Sequence, residues 1–185
     1  MSSPPAETRR LFFALWPDPG LQQRLHHLAR QVARPGGGRL VPQQNLHITL
    51  AFLGSIDAKR QQCLEDVAGS IRIPAFSLTL DRAGYWERPR VIWFGCSDTP
   101  TPLQTLAREL AVAMERCGLQ PERRPFAAHL TVMRKALHGP ADREIPPLDW
   151  PVSSFALVES LTLPAGAQYR VIRCWSLSPV EDRQG

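Results

Sequence analysis

Two short segments of the chain carry the same pair of side chains with acid–base potential: His47 with Thr49, and His129 with Thr131. One apolar residue separates each histidine from its threonine, and further apolar residues flank both pairs. Successive side chains of a β-strand point to opposite faces, so each His–Thr pair is expected to share one face. Each strand would therefore present one imidazole and one hydroxyl on an otherwise apolar segment.

Two opposed imidazoles suit the cleavage of a phosphodiester without a metal ion. One neutral histidine can accept the proton of an attacking water, while a second, protonated histidine gives a proton to the departing sugar oxygen. An ordinary histidine pKa of about 6.5 would keep both protonation states available at neutral pH. The threonine hydroxyls can donate hydrogen bonds to the non-bridging phosphate oxygens. The spacing does not indicate which histidine is the acid and which is the base.

The pattern of apolar residues predicts the elements that position these pairs. Strands are expected at 10–16, 45–53 (closed by Gly54), 76–81, 90–96, 126–133, 155–163 and 169–177. Helical spacing predicts a helix through Leu21, Leu25, Leu28 and Val32, and further helices at about 58–70 and 101–117. Residues 1–8 are expected to be loose, and the prolines at 140, 146, 147 and 151 indicate a loop.

The order strand, helix, loop, strand occurs twice, from Arg10 to His47 and from Arg90 to His129, and each copy ends on a His–Thr pair. This indicates an internal duplication, with units at about 10–53 and 90–134. We therefore expect an α+β fold of two pseudo-symmetric lobes, each a mainly antiparallel sheet with outer helices, and a cleft between them. Because each lobe is too small to be stable alone, residues 1–185 are expected to form a single bilobal domain.

Composition limits the partners and the location of the protein. The 22 basic and 17 acidic residues give a net charge of +5, which attracts phosphate-rich partners weakly and without sequence preference. The longest early apolar run, 11–16, is too short for a membrane span or a leader peptide, so a cytoplasmic protein without a membrane partner is expected. The four cysteines are far apart and are interpreted as buried reduced thiols. A monomer is expected because the duplication already supplies a twofold cleft.

The sequence lacks the motifs of two other classes of phosphate-handling protein. A metallohydrolase would need close ligand pairs such as H-x-H or H-E-x-x-H, and neither is present. The glycines at 36–38 are not followed by Lys-Ser or Lys-Thr, so no ATP-binding loop is predicted. We expect neither a metal nor a cofactor.

The segments 45–54 and 126–134 resemble the paired H-x-T motifs of the 2H phosphoesterases, and most closely those of the RNA 2′,3′-cyclic phosphodiesterases, historically called 2′-5′ RNA ligases. The resemblance covers nearly the whole chain, including 10–15, 90–95, 155–160 and 169–177. One departure is Ala128, where the family usually has proline. That change removes no chemical group.

The resemblance implies metal-independent hydrolysis of RNA 2′,3′-cyclic phosphate ends to 2′-phosphomonoesters. It implies that His47 is the proton donor and His129 the proton acceptor. It also implies that Thr49 and Thr131 hold the phosphate and that Arg134 contacts it.

Three alternatives remain open at this point. They are 2′-5′ RNA ligation by the reverse reaction, a phosphodiesterase for small cyclic phosphates, and a non-catalytic RNA-binding module. The module would explain the charge but not two symmetric His–Thr pairs. Four aromatic residues are candidates for stacking on a base, with burial in the core as the other interpretation: Phe12, Phe52, Tyr85 and Trp93.

Overall fold

The computed structural model describes residues 7–164 and 166–179 of the chain. The strands in this part are β1 (Thr8–Leu15), β2 (Arg39–Leu40), β3 (Ile48–Asp57), β4 (Phe76–Trp86), β5 (Val91–Gly95), β6 (His129–Arg134), β7 (Arg143–Val152), β8 (Ser154–Leu163) and β9 (Gly166–Ser176). The helices are α1 (Pro19–Ala33), α2 (Ala58–Ser70) and α3 (Thr101–Arg116). Within these residues we find no helix with the length and apolar character of a membrane span.

The strands form one sheet with the order β7-β4-β5-β6-β3-β1-β8-β9, and β2 pairs with β6. In the described chain the two inner strands, β3 and β6, pair at a single position, Ile48 with Leu130. This junction divides the sheet into a first lobe, β3-β1-β8-β9, and a second lobe, β6-β5-β4-β7. Neighbouring strands within both lobes are antiparallel. The predicted α+β fold of two antiparallel lobes is confirmed, whereas the single domain over 1–185 stays a prediction.

The helices cover the sheet with the apolar stripes that the sequence predicts. In α1 the buried stripe includes Leu21, Leu25 and Leu28, and α3 buries Leu103, Leu106 and Leu110 in the same way. Helix α1 contacts β6, and α3 contacts β3. Each helix therefore packs beside the inner strand of the other duplicated unit, which holds the two lobes together. Burial of each leucine side chain contributes about 1.5–3 kcal/mol to the free energy that stabilises the fold.

The strand that follows the first histidine differs from its predicted span of 45–53. It begins only at Ile48, because Gln43–Asn45 forms a 3₁₀ turn. It continues through Gly54, which has a φ of +71° and lies at an irregularity in the pairing with β1. Glycine adopts this left-handed conformation without steric cost, so Gly54 makes a bulge here rather than a stop.

Further elements differ from the sequence prediction. Strand β6, predicted at 126–133, begins only at His129, and β9, predicted at 169–177, begins at Gly166. Strand β4 does not end at 81 but runs to Trp86, which brings Trp86 to the lobe junction. The segment 143–152, interpreted as a proline-marked loop, is strand β7. Among the described residues β7 lies at the edge of the sheet and pairs with β4 alone, so its prolines need no N–H for a second neighbour. Residues 1–6 of the segment expected to be loose lie outside the described residues, and Thr8 already belongs to β1.

The interpretation of all four cysteines as buried reduced thiols is wrong. Cys63 of α2 and Cys117 after α3 form a disulfide with their Cα atoms 5.9 Å apart. Cys96 is a half-buried thiol and Cys174 is an exposed one. The pair is separated by 54 positions, and only the packing of α2 beside α3 brings it together.

A buried carboxylate, Glu159, joins β1, β8 and β9. Glu159 accepts a hydrogen bond of 2.7 Å from Arg9 and one of 2.6 Å from Arg170. These hydrogen bonds, that from Arg9 foremost, lower the pKa of Glu159 to about 2. The same strands carry Phe12 and Tyr169, whose rings pack on His47.

Replacing Glu159 by glutamine is expected to lower the free energy of unfolding by about 2 kcal/mol at pH 7, because two arginines lose their carboxylate. The pKa of Glu159 in the folded protein lies below its ordinary value of 4.5, so this stabilisation is present above pH 4.5 and is lost as pH falls toward 2. Urea unfolding at several pH values checks this, with the exposed Glu115→Gln as control. Equal stability of the wild type and Glu159→Gln at pH 7 would contradict it.

Candidate active site

His47 and His129 immediately precede the residue pair that joins the two lobes. Ile48 and Leu130 form this pair, and both are fully buried. Because side chains alternate along a strand, the preceding histidines point to the opposite face. Thr49 follows His47 to that face, as the sequence predicts.

Both His–Thr pairs line one cleft of about 520 Å³ between the lobes. His47 and Thr49 enter it from β3 and the turn before it, while His129 and Thr131 enter it from β6. Arg134, at the end of β6, lines the same cleft. The five residues predicted from the sequence therefore meet at one place.

A backbone carbonyl two residues upstream orients each imidazole. His47 donates from Nδ1 to the carbonyl of Asn45 at 2.7 Å, and His129 donates from Nδ1 to the carbonyl of Ala127 at 2.8 Å. With the proton held at Nδ1, the neutral ring leaves Nε2 unprotonated. The two histidines are thus held in the same tautomer by equivalent contacts in the two lobes.

The His47 ring lies in an aromatic enclosure. Trp16 stacks on it with 5.3 Å between ring centroids, Tyr169 meets it edge-on at 5.2 Å, and Phe12 lies at 4.9 Å. Nε2 of His47 accepts a hydrogen bond of 3.1 Å from the hydroxyl of Thr49. Removal of water from the ring lowers the pKa of His47 to about 4, and the nearby positive charge of Arg134 acts in the same direction.

His129 has a more open setting. The ring of Trp86 meets it edge-on, with 4.6 Å between centroids. Burial again lowers its pKa, opposed by the hydrogen bond to Ala127. The expectation of two ordinary histidine pKa values is wrong for the free protein, because both rings sit against aromatic walls that exclude water.

Comparison with known proteins identifies the family of this chain. Residues 15–93 match the family described as LigT like phosphoesterase. The chain is 37% identical over 177 residues to the RNA 2′,3′-cyclic phosphodiesterase of Escherichia coli (strain K12), and the match covers 94% of this chain and 99% of that protein. The chain belongs to the LigT-like phosphoesterases.

Solved structures of family members have the same architecture. The crystal structure of E. coli LigT complexed with 3′-AMP gives a TM-score of 0.85 at 36% identity, covering 93% of this chain and 99% of that one. A crystal structure from Thermus thermophilus gives a TM-score of 0.78 at 27% identity, covering 91% of this chain and 97% of that one.

A second pocket of this LigT-like phosphoesterase, of about 350 Å³, opens beside His47. Phe52 and Arg134 both line it, and Tyr169 lies in its wall. Phe52 is 47% exposed, and the guanidinium of Arg10 lies 5.2 Å from the centre of its ring. An exposed ring beside a histidine is a surface on which a nucleobase can stack.

The other three aromatic candidates occupy different environments. Phe12 is buried against His47, and Trp93 is half-buried beneath Trp86. The hydroxyl of Tyr85 donates to the carbonyl of Ala136. Of the four, Phe52 is the one whose ring is exposed in a pocket next to His47.

Sequence reasoning missed several residues that this LigT-like phosphoesterase places around the cleft. Trp86 was missed because β4 was predicted to end before it, and Tyr169 reaches His47 only through the pairing of β8 with β9. Arg88 and Arg124 lie in loops at the cleft, where no periodic pattern marks them.

No group of three or more histidine, cysteine, aspartate or glutamate side chains suited to hold a metal ion is found in residues 7–164 and 166–179. The absence of a metal or another cofactor from the reaction stays a prediction. The observed donors at the cleft are imidazole, hydroxyl and guanidinium groups, which can act on a phosphate directly.

Proposed function

We propose that this LigT-like phosphoesterase hydrolyses RNA 2′,3′-cyclic phosphate ends to 2′-phosphomonoesters, with His47 and His129 as an acid–base pair and no metal ion. The observation that carries the proposal is the pair of imidazoles in one cleft, one from each lobe, each held with Nδ1 on a backbone carbonyl. Relatives in E. coli and Thermotoga maritima are named RNA 2′,3′-cyclic phosphodiesterase, which supports this substrate.

In the proposed reaction, His129 is the general base. Its unprotonated Nε2 accepts a proton from water as the water oxygen forms a bond to phosphorus. The Nδ1 hydrogen bond to Ala127 stabilises the imidazolium that results, since it persists in the charged ring. Because the pKa of His129 is lowered, its neutral form predominates at pH 7.

His47 is the general acid of the same step. As the bond between phosphorus and the 3′ oxygen breaks, Nε2 of protonated His47 gives its proton to that oxygen, which leaves as a hydroxyl. The low pKa of His47 in the free protein opposes this role, but the negative charge of a bound phosphate favours the charged ring and raises the pKa. Proton exchange with solvent then restores both histidines.

Thr49, Thr131 and Arg134 hold the phosphate in this scheme. The two hydroxyls lie on the same strand faces as the histidines, within reach of non-bridging oxygens, and Arg134 supplies a positive charge. The 3′ oxygen lies on the His47 side, so the nucleoside extends toward the pocket of Phe52.

One chain contributes both histidines, so the proposal includes a monomer that needs no second subunit to complete the site. It also includes action in the cytoplasm, on RNA 3′ ends, without a membrane partner. The arginine side chains at the cleft, Arg88, Arg124 and Arg134, support a polyanionic substrate.

A second candidate function is 2′-5′ RNA ligation, in which a 5′-hydroxyl attacks the cyclic phosphate in place of water and the 3′ oxygen leaves as a hydroxyl. It is favoured by a groove of about 570 Å³ that continues from His129 along α3 and is lined by Gln104, Arg108 and Phe126. Such a groove has room for a second nucleotide on the side of the proposed base. Adding an oligonucleotide with a 5′-hydroxyl to the assay below separates ligation from hydrolysis.

The experiment incubates the purified protein, in excess EDTA, with a short oligoribonucleotide that ends in a 2′,3′-cyclic phosphate. Phosphorus NMR is expected to show conversion to a 2′-phosphomonoester, because the proposed acid protonates the 3′ oxygen. A 3′-phosphomonoester product, or turnover that returns only with added metal ions, would contradict the proposal. The exposed His138→Ala serves as the matched histidine control and is expected to convert the substrate at the wild-type rate.

A further inference from the structure

One part of the chain has a strongly one-sided charge. The segment 19–56 contains no aspartate or glutamate, although the whole chain has 17 acidic residues. The same segment contains four arginines, Arg24, Arg30, Arg34 and Arg39. It covers α1, β2 and the approach to His47, so the excess charge lies next to the cleft in sequence.

These four arginines are exposed. The ion pairs seen in residues 7–164 and 166–179 involve other arginines, namely Arg9, Arg60, Arg82, Arg170 and Arg173. Within the described residues, therefore, no carboxylate forms an ion pair with the four arginines of 19–56. Free guanidinium groups of this kind bind phosphate well, because they present a planar fork of donors.

Helix α1 gathers part of this charge on one face. His27, Arg30, Gln31 and Arg34 have the spacing of neighbours on a helix surface, and together they line a depression of about 820 Å³. Leu40 and Met133 form its apolar wall. Donors beside an apolar wall suit a polynucleotide, which offers both phosphates and base faces.

The charged face is connected to the cleft through β2. Arg39 of β2 lies opposite Arg134 of β6 in an antiparallel pair, so the two side chains point to the same face of the sheet. Arg134 lines the cleft, whereas the next pair, Leu40 and Met133, points to the opposite face and lines the depression beside α1, so β2 lies between the depression and the cleft. We call the surface formed by His27, Arg30, Gln31, Arg34 and Arg39 the α1 basic surface.

A membrane is a poorer fit to this surface than RNA. A helix that lies in a membrane turns an apolar face to the lipid, but the apolar residues of α1, such as Leu25 and Leu28, are buried in the core. Its outward face is polar and basic, which suits an extended chain of phosphates.

We infer that the α1 basic surface docks the RNA chain that precedes the terminal cyclic phosphate, by contacts with its phosphate backbone. This inference rests on the proposed function, since it assumes that an RNA end occupies the cleft. The surface makes no contact with the reacting atoms, so it acts on the affinity for long substrates and not on the chemical step.

The test compares two substrates, 2′,3′-cyclic AMP and a dodecaribonucleotide ending in adenosine 2′,3′-cyclic phosphate. The double variant Arg30→Glu/Arg34→Glu is expected to raise KM for the dodecamer roughly tenfold. It should leave kcat and KM for 2′,3′-cyclic AMP unchanged. The slope of log KM for the dodecamer against the logarithm of the salt concentration should decrease by about 1.4, because the variant loses two contacts with phosphates of a single strand.

A control with the same change of charge is Lys59→Glu/Arg116→Glu, on α2 and α3, where both side chains are exposed. It is expected to leave the dodecamer KM near the wild-type value. Equal effects of the two double variants would overturn the inference, because they would indicate net charge and not a docking surface. A loss of cyclic AMP turnover in Arg30→Glu/Arg34→Glu would also overturn it, since the surface would then act through the cleft.

If the wild type turns over neither substrate, the proposed function fails, and fluorescence anisotropy with the same labelled dodecamer decides the docking site separately. Weaker binding by Arg30→Glu/Arg34→Glu than by its control supports the site, and equal binding overturns it. Binding to phosphatidylserine vesicles that depends on Arg30 and Arg34, with no such dependence for the dodecamer, would assign the surface to a membrane and overturn the inference.

Discussion

Replacing His129 by alanine is expected to lower kcat for 2′,3′-cyclic AMP about 10³-fold, with KM within a few fold of the wild type. The proposed base lines the cleft, and its loss removes general base catalysis worth roughly 10²–10⁴-fold. The proposed phosphate-binding groups Thr49, Thr131 and Arg134 remain, so substrate affinity is expected to be retained. Steady-state kinetics in EDTA measure both constants.

The chain offers a matched control for this prediction. His138 is an exposed histidine in the loop after β6, and His138→Ala is expected to behave as the wild type. A His129→Ala variant that keeps more than a tenth of wild-type kcat would contradict the role of His129 as the base. A large rise in KM at unchanged kcat would also contradict it, because a binding residue gives that pattern.

The dependence of kcat/KM on pH is the second large expected effect. We expect kcat/KM for cyclic AMP to peak below pH 6.5 and to fall about tenfold per pH unit from pH 6.5 to 8. The proposed donor, His47, must be protonated to act. Its pKa in the free protein is about 4, so the protonated fraction decreases as pH rises. At pH 7 only a small fraction of the molecules carries the proton on His47.

The profile of kcat should differ, because it reports the complex with bound substrate. The phosphate anion next to His47 raises its pKa, so kcat is expected to stay high to a more alkaline pH than kcat/KM. To check this, kcat and kcat/KM are each measured as a function of pH. The pKa of His47 is measured from its NMR chemical shifts, with and without the product 2′-AMP. A kcat/KM profile that peaks above pH 7 would contradict the low pKa of the donor in the free protein.

Much of the cleft could be predicted because its signal is local. Alternation of polar and apolar residues around His47 and His129 indicates two strands with one polar face each, and the buried Ile48 and Leu130 agree with that pattern. The repeated order of elements predicts two lobes, and the structure has β1 and β3 in one lobe and β5 and β6 in the other. Local patterns of this kind depend on strand geometry alone.

Features that depend on contacts between distant segments could not be predicted. The enclosure of His47 needs Tyr169, which the pairing of β8 and β9 brings to it, and the disulfide needs α2 beside α3. Strand β7 was not predicted because prolines usually end a strand. At the edge of a sheet, however, prolines are tolerated. The low pKa of His47 follows from the same long-range packing, since residues far apart in sequence exclude water from the ring.

The measurement that tests the central claim most directly changes the leaving group. A nucleoside 2′,3′-cyclic phosphate with sulfur in place of the bridging 3′ oxygen releases a thiolate. This leaving group needs no proton from the enzyme, because a thiol is far more acidic than a sugar hydroxyl. With this substrate His47→Ala is expected to recover most of its lost rate, while His129→Ala stays about 10³-fold slow, because the attack of water still needs a base. Recovery of His129→Ala instead would reverse the two roles. Recovery of neither variant would contradict an acid–base pair in this cleft.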